Sequence, residues 1–430
     1  MTHGADFRSR SVARQSARAR ELTFHAVILA LVIWSVVGAD VLSSGPLGRY
    51  SHFPKGNDFV QFYVAGSLAK SGAFGALADP EAFRQAQLPY LTVHTSPYPA
   101  VYGPQVGLLF ALFACLPYVI SYAAWSVLTF LLIAWSVRTC WRHCPQLAKW
   151  PWPVVALTAA FPPVGYLVLD GQLSGMALAA LGMLVVALAQ QSRGLAGLAV
   201  GVLGYKFSLF VPAVSVCVLS GEWIISAVAL GVAALQVLGV APVVGLDVVT
   251  GFFHNTMSAV REPDLLAARP YLMGSLRTFW TALLPDTPAR VAYAVSAVMA
   301  SICAAWGWRR NTDALRRVAL LSLAVALSAP HFYLYDLVIV IPAFIASAAI
   351  IVNQRAPVLH WCVYLAFLTP LAVPLAAITH VQPVTVVLSI WLISLARHVV
   401  HGVAQPLDAR TKDSARLQSR WDAVELPGAN

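Results

Sequence analysis

Apolar runs, several of them approaching or exceeding the length of a bilayer crossing, recur along this chain from residue 23 to residue 397, and they decide the fold class before any motif is read. A helix needs roughly 20 such residues to cross the hydrocarbon, and lipid tolerates no open sheet edge, so each run must cross as a helix. Of 430 residues, 59% are hydrophobic and 11% charged, with a mean hydropathy of +0.72. That is more apolar surface than one soluble core of this length buries. The expectation is an all-α polytopic membrane protein.

Candidate spans fall at about 23–43, 101–116, 118–138, 152–169, 173–190, 194–220, 224–244, 289–308, 317–330, 335–352, 357–373 and 383–397, so ten to twelve crossings are expected. The first run is too long for a signal h-region and lacks a small-x-small cleavage site, so it reads as a retained span. Net charge is +10, with arginines gathered at Arg8, Arg10, Arg14, Arg18 and Arg20 before the first span and at Arg397, Arg410, Lys412, Arg416 and Arg420 after the last. This is the positive-inside pattern, with membrane lipids as partners and no nucleic-acid footprint. An even count places both termini, and Arg309, Arg310, Arg316 and Arg317, in the cytoplasm. It also places Arg138, Arg142 and Lys149 outside, against the rule, unless a segment between 100 and 220 is re-entrant. The chain divides into a basic tail (1–22), a membrane domain (23–397) with a long outer loop (44–100), and a tail (398–430); residues 1–20 and 402–430 read as unstructured.

The outer loop is far longer than any other connection, and long loops in compact proteins usually carry function. Within it, Asn57 reads as an N-cap and Asp58 as the first residue of a helix whose Phe59, Phe62, Tyr63, Gly66 and Ala69 share one face; Gly72 ends it. A carboxylate in a first helical turn is favoured in its ionised form, the form a general base needs. Helix capping alone would equally explain an acidic residue there. Asp79-Pro80-Glu81 starts a second short helix, with Asp79 as N-cap and Pro80 as the first helical residue. Both helices are expected to be amphipathic and to lie at the membrane surface. The loop closes on Tyr98-Pro99-Ala100-Val101-Tyr102-Gly103-Pro104, where Tyr98 is equally explained as an interfacial anchor.

Three further sites put polar groups at membrane depth: Asp170-Gly171-Gln172, Lys206, and Pro330-His331 with Tyr335-Asp336. An ionisable residue there is a functional candidate, with snorkelling at a helix end as the alternative. In the second outer loop, 245–288, Arg261, Glu262, Asp264 and Arg269 read as a solvated face, whereas Arg277 stands beside an apolar run and could reach a phosphate. The six cysteines read as small core residues; Cys140 and Cys144 could pair only in an oxidising compartment, and a zinc site there has little support. No phosphate loop, Walker sequence, HExxH or nucleophile elbow occurs in a credible context, so nucleotide-driven transport loses its main support.

Taken together, Asp58-Phe59-Val60-Gln61-Phe62-Tyr63, Ala65-Gly66, Gly72, Leu77-Ala78-Asp79, Tyr102-Gly103-Pro104, Gly171-Gln172, Lys206, Ser275-Leu276, Ser328-Ala329-Pro330-His331 and Tyr335-Asp336 resemble glycosyltransferase family 87, over residues 23 to 397. The family often has Tyr-Pro-Pro where this chain has Tyr102-Gly103-Pro104, and Lys-Pro where it has Lys206-Phe207. The resemblance implies a GT-C-like bundle in the inner membrane: an inverting enzyme, mannosyltransferase-like, with its active site facing the periplasm. It further implies a polyprenyl-phosphate-linked sugar as donor and a lipid or glycan as acceptor; no cofactor is expected, and no carboxylate cluster in the sequence demands a metal. Asp58 then carries over as the base and His331 as a group near the donor phosphate.

The residues support that chemistry without the family. One carboxylate takes the proton of the acceptor hydroxyl as it attacks the anomeric carbon, and the lipid phosphate leaves from the opposite face. The departing phosphate needs cationic or hydrogen-bonding partners, for which His331, Lys206 and Arg277 are candidates, with Asp336 and Tyr335 beside the donor. Tyr63, Tyr98, Tyr102 and Gln172 are assigned to the loop and acceptor side. Mannose, glucose and arabinofuranose are not distinguished by sequence, and a lipid or polysaccharide transporter stands as the alternative.

Overall fold

Prolines and glycines decide where this chain's helices break, and the breaks gather the polar residues at one end of the bundle. The computed structural model describes residues 2–49, 51–93, 95–261, 270–354 and 356–401. Glu262, Asp264 and Arg269, and the tail with Arg410, Lys412, Arg416 and Arg420, lie outside the described residues. Among those described the fold is all-α, with two isolated bridges, Leu47 to Pro54 and Met273 to Tyr333.

Among the described residues, six helices are long and apolar enough to cross a membrane: Ala19–Val41, Tyr118–Arg142, Trp223–Val244, Asp286–Arg309, Leu334–Asn353 and Pro383–Val400. Two bent pairs, Pro151–Ala160 with Pro162–Asp170 (52°) and Pro357–Leu371 with Val373–Thr379 (78°), raise the number to eight. Ser174–Ala189, Arg193–Tyr205 and Phe207–Leu219 are shorter apolar helices, and Ala314–Ser328 is almost wholly buried. Much of the difference from the ten to twelve expected lies in these short helices, which pack against protein over most of their surface. The first span continues a helix that begins at Thr2, which replaces the unstructured N-terminal segment expected over residues 1–20.

Residues 101–116 are no span: the helix there is Pro104–Ala111, eight residues, about 12 Å long. It lies against the Phe59–Lys70 helix, where a Cβ on Gly66 would sit 2.3 Å from the Phe110 carbonyl oxygen. Removing this crossing reverses the direction of everything between residues 118 and 205. Tyr118 and Tyr122 are then at the Asp58 end, with the Tyr122 hydroxyl on the Val168 carbonyl at 2.7 Å, and Arg138, Arg142 and Lys149 at the opposite end. There Cys144 feels the charges of Asp313 and Arg316, while Glu222 meets Arg317 at 4.0 Å and Arg193 at 3.9 Å. The conflict with the charge rule over residues 138–150 is thereby removed. All six cysteines are unpaired, and Cys140 and Cys144 are buried as small core residues.

Small residues bring the helices close in register. Tyr118–Arg142 runs parallel to Ser174–Ala189, with Gly175 against Thr129 and Gly182 against Ser136. Arg193–Val202 runs parallel to Trp223–Leu238, with Gly197 against Val228 and Gly201 against Val232. The first helix follows the bent pair, with the Trp34 indole donating to the Ala159 carbonyl at 2.9 Å and Gly165 beside Ile33.

The outer loop meets some expectations and departs from others. Asp79 caps Pro80–Gln87 as anticipated, its Oδ1 accepting from the Glu81 and Ala82 amides, and that helix is amphipathic, with Phe83 and Gln87 buried and Glu81 and Arg84 in solvent. The Phe59–Lys70 helix is buried on several faces, Phe59, Val60, Gln61, Phe62, Tyr63 and Val64 consecutively, so it belongs to the core and does not lie on the membrane surface. Its end is as expected, at Gly72 with φ of +75°.

Candidate active site

Two left-handed glycines set the centre of the site. Pro162–Asp170 ends at Gly171, φ +64°, which turns the chain so that Gln172 points back across the bundle. The carbonyls freed by this break are taken up by side chains at membrane depth: Val168 by the Tyr122 hydroxyl, Gln172 by the Trp125 indole (3.4 Å) and Leu173 by the Tyr205 hydroxyl (3.0 Å). On the facing loop Gly56, also at φ +64°, makes the turn into Asp58, and the Tyr118 hydroxyl holds the Lys55 and Gly56 carbonyls at 2.7 and 3.2 Å. A Cβ on Gly56 would meet the Tyr122 ring at 2.5 Å, and one on Gly171 would meet Phe59 Cβ at 2.7 Å. Gly171→Ala is therefore expected to lower stability by about 1–2 kcal/mol from the left-handed backbone alone. It should lower activity further as Phe59 and Asp58 are pushed aside; thermal unfolding and turnover of the purified variant measure the two effects.

Asp58 occupies the position before the Phe59–Lys70 helix but its side chain caps nothing, and Asn57, expected as the cap, has an Oδ1 with no hydrogen-bond partner. The Asp58 carboxylate turns instead to Gln172, whose Nε2 donates to Oδ2 at 2.6 Å. Tyr98 and Tyr335 lie close enough to the same carboxylate to favour its ionised form. Gln172 Oε1 in turn accepts from the Tyr102 hydroxyl at 3.4 Å and the Leu173 amide at 3.3 Å. Five residues assigned from separate parts of the sequence thus converge: Asp58, Tyr98, Tyr102, Gln172 and Tyr335.

Burial raises the Asp58 pKa above the ordinary carboxylate value, while Gln172, then Tyr98, the charge of Lys206, and Tyr335 pull it down. A raised pKa strengthens the carboxylate as a proton acceptor, and activity that needs it ionised is lost as pH falls through the folded value. Gln172→Leu removes the largest lowering contact, so the folded pKa rises further. The acid limb of the pH–rate profile is expected to move to higher pH in that variant; an unmoved limb would mean that Asp58 does not govern it.

Lys206 stands at a second break, after the Leu203–Tyr205 turn, and is 6% exposed. Its ammonium contacts both oxygens of Asp336, at 2.6 and 2.8 Å, and Asp336 is fully buried. Asp336 also accepts from the Ser174 hydroxyl and from the Tyr333 amide (3.1 Å). The charge of Lys206 is thus matched inside the protein, which disfavours the donor-phosphate role expected for it. Ser174 was not anticipated; its place two residues after Gln172, on the same turn, is the signal that could have marked it.

Arg277 and His331 form a flanking pair. Arg277 Nη1 lies 3.5 Å from the Pro330 carbonyl, and the half-buried His331 ring packs edge-on against Tyr333 at 4.9 Å. Tyr333 stacks on Tyr335 at 5.5 Å, which joins the pair to the Asp58 cluster. Burial lowers the Arg277 pKa, yet a guanidinium stays charged in a protein. Tyr63 is the assigned residue that the fold leaves aside: its hydroxyl donates to the Leu116 carbonyl at 3.0 Å, and its ring packs edge-on against Tyr90 and Tyr118.

A polytopic bundle thus gathers a partly desolvated carboxylate and neutral donors at one end, beside an arginine and a histidine. The chain belongs to glycosyltransferase family 87, whose sequence model matches residues 100–342. It is therefore a membrane glycosyltransferase. The matched region contains Tyr102, Gln172, Lys206, Arg277, His331, Tyr335 and Asp336, and Asp58 precedes it. No curated protein and no solved structure matches the chain.

Proposed function

We propose that this glycosyltransferase moves a hexose, mannose being the first candidate, from a polyprenyl-phosphate sugar to a lipid or glycan acceptor, with inversion and with Asp58 as base. The observation that carries the reading is the contrast between two carboxylates at one end of the bundle. Asp336 is neutralised by Lys206 and hydrogen-bonded on both oxygens, whereas Asp58 has only neutral donors in contact and keeps its basicity. An acceptor hydroxyl beside Asp58 would lose its proton as it attacks the anomeric carbon. Arg277 and His331 would receive the charge of the departing phosphate, which needs little help from an acid.

The charge distribution supports a periplasmic site. Arg138, Arg142, Lys149, Arg193, Arg309, Arg310, Arg316 and Arg317 gather at the end opposite Asp58, and basic residues favour the cytoplasmic side. The cell's nucleotide sugars lie on that side, so a site on the far side calls for a donor that crosses with the bilayer, as a prenyl-linked sugar does.

The test offers membranes containing the protein two radiolabelled donors, polyprenyl-phosphate mannose and a mannose nucleotide. Label is expected in lipid or glycan from the first alone. Transfer from the nucleotide would overturn the donor assignment, and movement of the intact carrier without transfer would favour the transporter reading.

A further inference from the structure

We propose that the buried Lys206–Asp336 pair is a positioning device for the base, holding Tyr335 so that its hydroxyl orients Asp58, and that the pair takes no part in binding the donor phosphate. The inference rests on Asp58 being the base. Asp336 sits three residues into the short helix Leu334–Val340, where it accepts the amide of Tyr333 at 3.1 Å and closes the turn containing Tyr335. Lys206 reaches in from the break before Phe207–Leu219 and clamps that turn through both Asp336 oxygens. Ser174, from the turn carrying Gln172, grips the same carboxylate. One ion pair therefore ties together the three breaks that supply Gln172, Lys206 and Tyr335.

Tyr335 is caught between these parts. The Lys206 ammonium lies 5.3 Å from its ring centroid, and Tyr333 stacks on the ring at 5.5 Å with planes 10° apart. With the ring packed by both neighbours, the Tyr335 hydroxyl stays close enough to Asp58 to favour its ionised form. Lys206 acts on the base at longer range as well, its charge favouring the ionised carboxylate. A lysine that bound the donor phosphate would have to leave Asp336, stranding a fully buried carboxylate.

The test compares full-length wild type, Lys206→Met and Tyr335→Phe by transfer kinetics at varied donor concentration. The expected result for both variants is a kcat lowered about tenfold or more with donor KM within about twofold of wild type, as for loss of an interaction that matters in the transition state. A donor KM raised about tenfold in Lys206→Met at unchanged kcat would overturn the proposal in favour of phosphate binding. Tyr335→Phe loses one hydroxyl and keeps its ring, so it reports even if Lys206→Met fails to fold; wild-type kinetics there would equally overturn the proposal.

A second readout needs no donor and so separates this proposal from the assignment of the reaction. A water-soluble carbodiimide labels protonated carboxyls, and the pH midpoint of Asp58 labelling is read by peptide mass spectrometry. The groups facing Asp58 are Gln172, Tyr98, Tyr102, Tyr118, Tyr335, Lys206 and, beyond Lys206, Asp336. Removing the Tyr335 hydroxyl or the Lys206 charge should raise the midpoint, because both favour the ionised form. Unchanged midpoints in both variants would overturn the proposal whatever the donor proves to be.

Discussion

Asp58→Asn is expected to slow sugar transfer by about 10²–10⁴-fold, the contribution usual for a positioned general base. Asparagine keeps the size of the side chain, and its single amide oxygen can still accept from the Gln172 amide, so that contact survives while the proton acceptor is lost. Donor KM should change little, because no part of the proposed donor site runs through this side chain. Asp58→Glu should retain more activity than Asp58→Asn, because it restores a carboxylate about one bond too far along. Turnover of matched amounts of purified protein measures both, and equal rates for wild type and Asp58→Asn would remove Asp58 from the mechanism.

The largest effect on stability is expected at Lys206. Lys206→Met leaves the Asp336 carboxylate fully buried without its cation, and breaking a buried pair from one side costs about 3–5 kcal/mol. Adding Asp336→Asn removes the stranded charge while its amide oxygen can still accept from the Tyr333 amide and its NH2 can donate to the Ser174 hydroxyl, so the double variant should recover more than half of the loss. Chemical unfolding in detergent gives the comparison. Additive losses in the double variant would show that the two side chains are not energetically coupled. If they are coupled as expected, the double variant should regain stability and remain slow, since Lys206 no longer holds Tyr335 in place.

Much of the architecture was legible because lipid leaves a chain few choices. Runs of apolar residues must be helices, the Asp79-Pro80 pair is a helix start by capping chemistry, and Gly72 stops a helix through a left-handed backbone. The site's membership was also partly legible, since a polar residue at membrane depth is costly and therefore conspicuous: Gln172, Lys206, Tyr335 and Asp336 were all marked on that ground. Their pairing was not. Lys206 and Asp336 are 130 residues apart, and nothing local to either tells a lysine that meets a phosphate from one that meets an aspartate.

Two misreadings share a cause. Residues 101–116 are apolar enough to cross a membrane, and the Phe59–Lys70 segment has the spacing of a surface helix, yet the two bury their apolar faces on each other at Gly66 and Phe110. Apolar composition records how much surface must be hidden and leaves open whether lipid or protein hides it. The false crossing then reversed the direction of the next segments and created an apparent violation of the charge rule at Arg138, Arg142 and Lys149. Asn57 failed as a cap for a local reason: Gly56 turns the chain so that Asp58 occupies the capping position, with its carboxylate drawn away to Gln172.

The central claim is a single displacement assisted by one base, and the anomeric outcome tests it most directly. Nuclear magnetic resonance of the product formed from a donor of known anomeric configuration gives the answer. The account predicts the opposite configuration in every product molecule, because a lone carboxylate deprotonating the acceptor allows attack only from the face away from the phosphate. Retention of the donor's configuration would contradict it, since retention requires a nucleophile that first takes the sugar, and Asp58 would then have to be reassigned.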